Sequence, residues 1–367
     1  MTMGNKQQKH PELFAQEAID QRKAHWDNSV EYSNDDLRPS SNIIVNFSCE
    51  SDRHDFAKAI GQKISSKTRS VWFGGCEFDN PADFFWGGSM DKNRYPIYVI
   101  SKGRAKKRLT CDTLDAMGCD YRLVVEPQEA NEYVSSGACA DKILETPFSN
   151  LGQGSIPARN FVWDHAASIG ASKHWILDDN IDGIFRFHEN RKIRVLCPIP
   201  FAYIEDFSDM FSNVMISGMQ YDYFILRKNG SIPAYDFNRR VYSCMLIDHS
   251  CHHRWRGRYN EDTDLCIRIM KSGLCTVLFN AFCCGKAATM TMTGGNTDEL
   301  YAQDGRKKMA ESLSNQHPGI ATTHERWGRI THKVDYSSIN KTAPIKVGDF
   351  KASRDYSMRL QKKDACK

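Results

Sequence analysis

"HWILDDNIDGIF", His174 to Phe185, runs three apolar residues into Asp178, Asp179 and Asn180 and then turns apolar again. It is either an acidic turn or a buried strand that presents oxygen ligands at a sheet edge, where a cation and a substrate can sit. Acidic turns are common, so the surrounding chain has to decide.

Upstream, "YPIYVIS" from Tyr95 reads as a short buried strand and "KKRLTCDTLDAMG" as a helix with a glycine stop. Then come the strand "YRLVVE", a helix through Glu129 to Ser135, a short strand at "KILET", a long helix "IPARNFVWDHAASIG" and the strand "HWILDD" itself. Strands alternating with helices of this size predict an α/β fold. Its Rossmann-like, mainly parallel sheet is flanked by helices, with ligands at the carboxyl ends of the strands. Asp178 and Asp179 fall at such an end. Downstream, "GIFRFHENRKIRVL" predicts a hairpin around "HEN" and "FAYIEDFSDMFSNV" a helix. "YDYFILR", "VYSCMLID" and "CTVLFN" predict strands, "EDTDLCIRIMKSG" a helix from its acids to Gly273, and "TDELYAQDGRKKMAESLSNQ" a polar helix.

Before Tyr95 the composition differs. Residues 1–40 are polar, with one amphipathic stretch "PELFAQEAIDQRKAHWD". Residues 41–75 predict a small α+β strand-helix-strand module, and the Gly-rich, aromatic 76–94 a linker. The main domain spans 95–340, and 341–367 reads as a C-terminal tail.

Bulk properties narrow the function classes. The 367 residues are 41% hydrophobic, the content of an ordinary globular protein, and no apolar run is long enough to cross a bilayer. The first residues lack the apolar segment of a signal peptide, which points to a cytoplasmic protein with no membrane partner. Thirteen cysteines without a CxxC pair predict reduced thiols; Cys244, Cys251, His252 and His253 are too loosely spaced for a structural zinc site. A net charge of +4 says little by itself, but basic residues crowd 101–108, 227–240 and 252–260. Aromatics accompany the last two runs, as a groove that tracks phosphates and stacks on bases requires; a solvated face is the plainer alternative.

Three further segments carry chemistry. "RYNEDTDLCIRIM" places Glu261, Asp262 and Asp264 in the first turn of an amphipathic helix, where the helix dipole favours negative charge. Capping requires one acid, so the others leave a carboxylate for use as a general base. In "GQGSIPARNFVWDHA", Gly152 and Gly154 permit a tight loop, Pro157 suits a first helical turn and Arg159 lies near the helix N-terminus, an arrangement able to hold a phosphate. "TMTGGNTDEL" joins Gly294, Gly295 and Asn296 to a helix start, a second candidate anion loop.

Together "PIYVISKGR", "YRLVVEPQEANEYV", "IPARNFVWDHA", "WILDDNI", "YNEDTDLCIRIMKSG", "TGGNT" and "WGR" followed by His332 resemble the TET-associated glycosyltransferases, of GT-A fold. That group includes the base J glucosyltransferase of kinetoplastids and phage enzymes that glycosylate hydroxymethylpyrimidines in DNA. The likeness spans roughly Tyr95 to Tyr336. It implies a nucleotide-sugar donor such as UDP-glucose, bound by Ser101, Lys102, Arg104, Arg159, Asp178, Asp179 and the 294–296 loop. It implies a divalent cation, Mn2+ or Mg2+, on Asp179, Asn180 and a late histidine, His332 first and His324 second. Asn180 departs from the family's DxD carboxylate. Asp262 then deprotonates the acceptor hydroxyl for inverting displacement, with Glu261 and Asp264 orienting the acceptor.

For hydroxymethylcytosine DNA as acceptor, "HHRWRGRY" supplies Arg254, Arg256 and Arg258 for phosphates and Trp255 and Tyr259 for stacking, with Arg239 and Arg240 as further cations. Two other readings stay open: a transferase acting on protein or glycan, and a degenerate transferase domain that only binds nucleic acid.

Overall fold

Period-two burial builds the sheet. Ile97, Val99, Trp175 and Leu177 pack into one apolar cluster, while their neighbours Tyr98 and Ile176 pack into another on the opposite face. The structure is a computed structural model. It describes residues 25–26, 30–34, 43–66, 68, 71, 80–89, 94–225, 232–287, 294, 305–326, 328–339, 341–348 and 354–363.

In chain order the described elements are α1 (Glu50–Ala59), β1 (Phe84–Gly87), β2 (Ile97–Ile100), α2 (Leu109–Ala116), β3 (Arg122–Val125), α3 (Pro127–Ser135), β4 (Ile143–Glu145), α4 (Ile156–Ser168), β5 (Lys173–Asp178), β6 (Ile181–His188) and β7 (Arg191–Val195). They continue with α5 (Ile199–Asp209), β8 (Val214–Tyr221), β9 (Tyr235–Phe237), β10 (Cys244–Asp248), α6 (Glu261–Lys271), β11 (Cys275–Lys286), α7 (Gly305–Gln316), β12 (Ala321–Arg326), β13 (Arg329–Val334) and β14 (Arg359–Lys362).

Twelve strands form one sheet in the order β14-β1-β7-β6-β11-β8-β10-β5-β2-β3-β4, with β9 paired to β11. The pairings send β1, β2, β3, β4, β5, β7, β8 and β11 one way and only β6, β9, β10 and β14 the other. The predicted, mainly parallel α/β sheet is therefore present. Val162, Trp163 and Ala166 of α4 and Leu265, Cys266 and Ile269 of α6 cover one face; Leu114 of α2, Tyr133 of α3 and Phe201 and Phe207 of α5 cover the other. The predicted "HEN" turn closes the β6–β7 hairpin, with Glu189 and Asn190 at positive φ. Every described cysteine is a free thiol.

Five local readings change. "IIVN" at the head of the N-terminal module is not a strand: Ile43 and Ile44 are 87% and 88% exposed and pair with no described strand, leaving α1 as the module's described element. "YDYFILR" is not a strand either. The neighbouring "VMISGMQY" fills the slot between β11 and β10, so the chain leaves the sheet at Tyr221 and makes a 3-10 turn over Asp222–Phe224. The segment read as a linker contributes β1, and the segment read as a tail contributes β14, which pair with each other. The polar extension likewise sends Trp26 and Val30 into the main core. Alternation over four residues is too short to announce an edge strand, which is why β1 and β14 escape a sequence reading.

No described helix is long and apolar enough to cross a membrane.

Candidate active site

Because β2, β3, β5, β8 and β11 share a direction, their carboxyl ends line one edge of the sheet. Ser101, Glu126, Asp178, Tyr221 and Lys286 lie at or just past those ends, and Ser243 joins them from the start of antiparallel β10. "LDD" is thus the end of a buried strand, not a surface turn.

Asp178 is the hub. Its Oδ1 accepts from Arg159 Nη2 at 3.0 Å; its Oδ2 accepts from Ser243 Oγ at 2.6 Å and Lys286 Nζ at 2.9 Å. Lys286 also donates to Ser243 Oγ at 2.6 Å and to the Tyr221 hydroxyl at 3.1 Å. Burial alone would push the Asp178 carboxyl up, but Lys286 and then Arg159 overcome it and hold the carboxyl well below the ordinary range. Asp178 is a permanent anion between two cations.

Arg159, in the first turn of α4 behind Pro157 as predicted, is 3% exposed. Its guanidinium lies 3.5 Å from Glu261 and 3.4 Å from Asp262, and 4.6 Å from the centre of the Trp255 ring. Ser155 Oγ donates to Glu261 at 2.7 Å and accepts from Arg159 Nε at 3.2 Å. A single buried cation therefore ties the end of β5 to the start of α6. The two motifs "LDD" and "NED" are one site.

Asp262 differs from its neighbours. Its Oδ1 is buried and makes no hydrogen bond among the described residues. Burial is the main cause raising its pKa; Arg159 opposes this, Glu261 and Asp178 add to it, and the carboxyl is pushed up to about 7. Asn260, which precedes α6, sits in the left-handed region at φ 53° and its side chain makes no cap, donating instead to the Met309 carbonyl at 2.8 Å. A carboxyl with a pKa near neutrality at a sheet edge has the properties of a general base.

Asp179, 7% exposed, forms an ion pair with Arg104 and accepts from Ser101 Oγ at 2.7 Å. Ser101 and the Arg104 backbone both meet the Tyr133 hydroxyl, at 2.7 and 3.1 Å. Arg104 Nη2 reaches the Gly294 carbonyl at 3.3 Å. Gly294 has φ 82°, and a Cβ there would lie 2.3 Å from the Gly103 carbonyl, so only glycine lets the backbone at this position rest on the "SKGR" loop. Gly295 and Asn296 lie outside the described residues. Lys102 pairs with Glu126 at 3.0 Å and Asn150 at 3.1 Å, on the same rim.

The expected cation ligands are not gathered. Asp179 is engaged by Arg104 and Ser101, while His332, on β13, stands beside Arg240 and His324, which with burial lower its pKa. Asn180 does offer a buried Oδ1 without a hydrogen bond. Among the described residues, however, no three His, Cys, Asp or Glu side chains are grouped so as to hold a metal ion. Cations that would compete with a divalent ion, Arg104, Arg159 and Lys286, already neutralise the acids of this edge. Asp179, Asn180 and His332 do not fit a divalent centre as arranged.

The third acid of α6 is also elsewhere. Asp264, 1% exposed, accepts from Arg256 at 3.0 Å, Arg268 at 2.8 Å and His317 at 2.8 Å. Burial raises its pKa, but His317, Arg256 and Arg268 bring it down to about 2. It joins α6 to the end of α7 and has no face left for an acceptor. Its basic partner Arg256 belongs to the loop read as the nucleic-acid contact, and that loop changes too. Trp255 is 3% exposed and packed on Arg159, while Arg254 pairs with Asp164 and lies over Trp163. Trp255 is a wall of the site rather than a stacking platform. Arg258 and Tyr259 neighbour each other at 6.0 Å, and Arg239 and Arg240 line a separate cavity with His332.

Lys286, Ser243 and Tyr221, which complete the Asp178 shell, were not singled out in the sequence. Lys286 carried a faint signal: "CTVLFNAFCCGK" is an apolar run that ends on a cation after glycine, at the same kind of strand end as "LDD".

A mixed sheet with this charged carboxyl edge defines a glycosyltransferase-like α/β protein. The family model of the TET-Associated Glycosyltransferases matches residues 95–295, more than half of the chain, and the chain belongs to that family. It is a glycosyltransferase. A comparison with curated proteins gives no match.

Proposed function

We propose that this protein transfers a sugar from a UDP-sugar to the hydroxyl of a 5-hydroxymethylpyrimidine in DNA, hydroxymethylcytosine first. The observation that carries the chemistry is the Arg159 bridge. One buried guanidinium meets strand-end Asp178 at 3.0 Å and Asp262 at 3.4 Å, the latter a carboxyl whose Oδ1 makes no hydrogen bond among the described residues.

In this reading Asp262 takes the proton of the acceptor hydroxyl as its oxygen attacks the anomeric carbon. The bond from that carbon to the diphosphate oxygen breaks, and the diphosphate leaves with the electron pair, inverting the configuration. Arg159 and Lys286 are the cations placed to receive the leaving charge. Ser101, Arg104 and the Gly294 loop hold the nucleotide, and Asp178 fixes both cations in position. Family membership supports a hydroxymethylpyrimidine in DNA as the acceptor, because the family is named for its association with TET-type oxygenases.

Incubation with UDP-glucose and hydroxymethylcytosine DNA, followed by digestion and mass analysis of the nucleosides, tests the reading. The expected product is hydroxymethylcytidine carrying one hexose. Transfer to a protein or glycan in place of DNA would overturn it.

A further inference from the structure

The 3-10 turn that replaces the predicted strand after Tyr221 places Tyr223 and Phe224 at the surface, 49% and 47% exposed. Rings then run inward: Phe224 to Tyr223 at 4.6 Å, Tyr223 to Tyr221 at 5.2 Å, and Tyr221 to Tyr242 at 5.8 Å, the last two pairs stacked. Tyr242 ends this run next to Asp262 and Thr263. Its hydroxyl accepts from Thr263 at 3.3 Å, and after burial and Arg240 the charge of Asp262 is among the influences on its phenol.

At the outer end lies a cavity of about 670 Å³, the volume of a small-molecule site. Phe224, Arg239, Arg240, His332 and Lys333 line it, and among the described residues no acid does. Arg240 lies 4.9 Å over the Tyr242 ring, so the cavity and the aromatic run share a wall. The β12–β13 hairpin that supplies His332 and Lys333 follows the family match, which ends at residue 295.

We infer that this cavity and the Phe224–Tyr223–Tyr221–Tyr242 run are the entry for the acceptor nucleic-acid strand, in place of the 252–260 loop. Arg239, Arg240 and Lys333 meet phosphates, and the exposed aromatic end stacks an unpaired base on its way to Asp262. Cations attract a polyanion, and π-faces accept any base; together they are the two elements of a single-strand channel. In the 252–260 loop Trp255 is buried and Arg254 and Arg256 are paired with acids.

This inference rests on the DNA-acceptor reading, and one set of measurements separates their failures. Anisotropy of a fluorescein-labelled single strand containing hydroxymethylcytosine is followed against salt for wild type, Arg239→Glu, Phe224→Ala and Arg258→Glu, with donor KM measured in parallel. Phe224 and Arg239 are exposed, so both variants should melt as wild type does. The expected result is an affinity loss of about tenfold or more in Arg239→Glu and Phe224→Ala, a salt slope shallower by about one in Arg239→Glu, unchanged donor KM, and near wild-type binding in Arg258→Glu. Wild-type affinity in the first two variants, or a change confined to donor KM, overturns the channel while leaving the DNA reading intact. Failure of wild type itself to bind or glycosylate DNA overturns both.

Discussion

Asp262 Oδ1 lies 3.4 Å from Arg159 Nη2, yet it makes no hydrogen bond among the described residues. The pair is close enough for the cation to restrain the carboxyl's pKa and too loose to fix it as a permanent anion, in contrast to Asp178 on the same guanidinium. One arginine thus serves two acids with opposite protonation behaviour.

That contrast sets a pH profile. A general base acts when deprotonated, so kcat/KM for transfer should rise through a single limb near pH 7 and then level off. Lys286 opposes the upward shift of Asp262, so Lys286→Met should move the limb to higher pH. A limb that stays in place in the variant would detach Lys286 from the titrating group.

Stability should show the same group from the other side. The folded-state pKa of Asp262 is raised above its ordinary value of 3.8, so its contribution to stability is fully present below about pH 4 and is lost as pH rises through about 7. Asp262→Asn removes the buried charge that accumulates above that point. The variant should melt a few degrees higher than wild type at pH 8, with the difference shrinking towards pH 4. Asp178, depressed instead of raised, should contribute stability above its unfolded value and lose it as pH falls. Thermal melts of both Asn variants across pH separate the two carboxyls.

Cation dependence is the next test. With Asp179 held by Arg104 and Ser101, and His332 beside Arg240, the protein's own cations are left to balance the leaving group. Initial rates in EDTA should therefore stay within about twofold of those in Mn2+. Complete loss in chelator, restored by Mn2+, would show that Asp179 exchanges its partners for a metal.

Asp264 should behave as structure. Removing a fully buried acid that three basic side chains share typically costs about 3–5 kcal/mol, so Asp264→Asn should lower the denaturation midpoint sharply. At a temperature where the variant remains folded, kcat should match wild type. A fall in kcat without loss of stability would return Asp264 to the chemistry.

Much of this was legible in the chain. The alternation of strands and helices from Tyr95 onward located the sheet, and the strand "HWILDD" located its charged carboxyl edge, because buried parallel strands read as apolar runs whose ends are marked by the first charge. Arg159 was placed correctly at a helix start by Pro157 and the two glycines. What the sequence did not disclose was partner choice. Trp255 and Arg254 look like nucleic-acid contacts until Arg159 and Asp164 are brought against them by folding, and Asp264 looks like Asp262 until α7 packs on α6 with His317. Residues two positions apart on a helix face different sides, and only tertiary packing reveals what each side meets. Tyr223 and Phe224 were read as strand residues because their aromatic composition favours one. The neighbouring segment had already filled the sheet position, which left them exposed.

The most direct test of the account is single-turnover transfer by Asp262→Asn with hydroxymethylcytosine DNA and UDP-glucose, alongside binding of UDP by the same variant. The variant keeps the shape of the carboxyl and removes its ability to take a proton. The account predicts a rate lower by about 10²–10⁴-fold with UDP affinity retained. Full transfer by Asp262→Asn would contradict it.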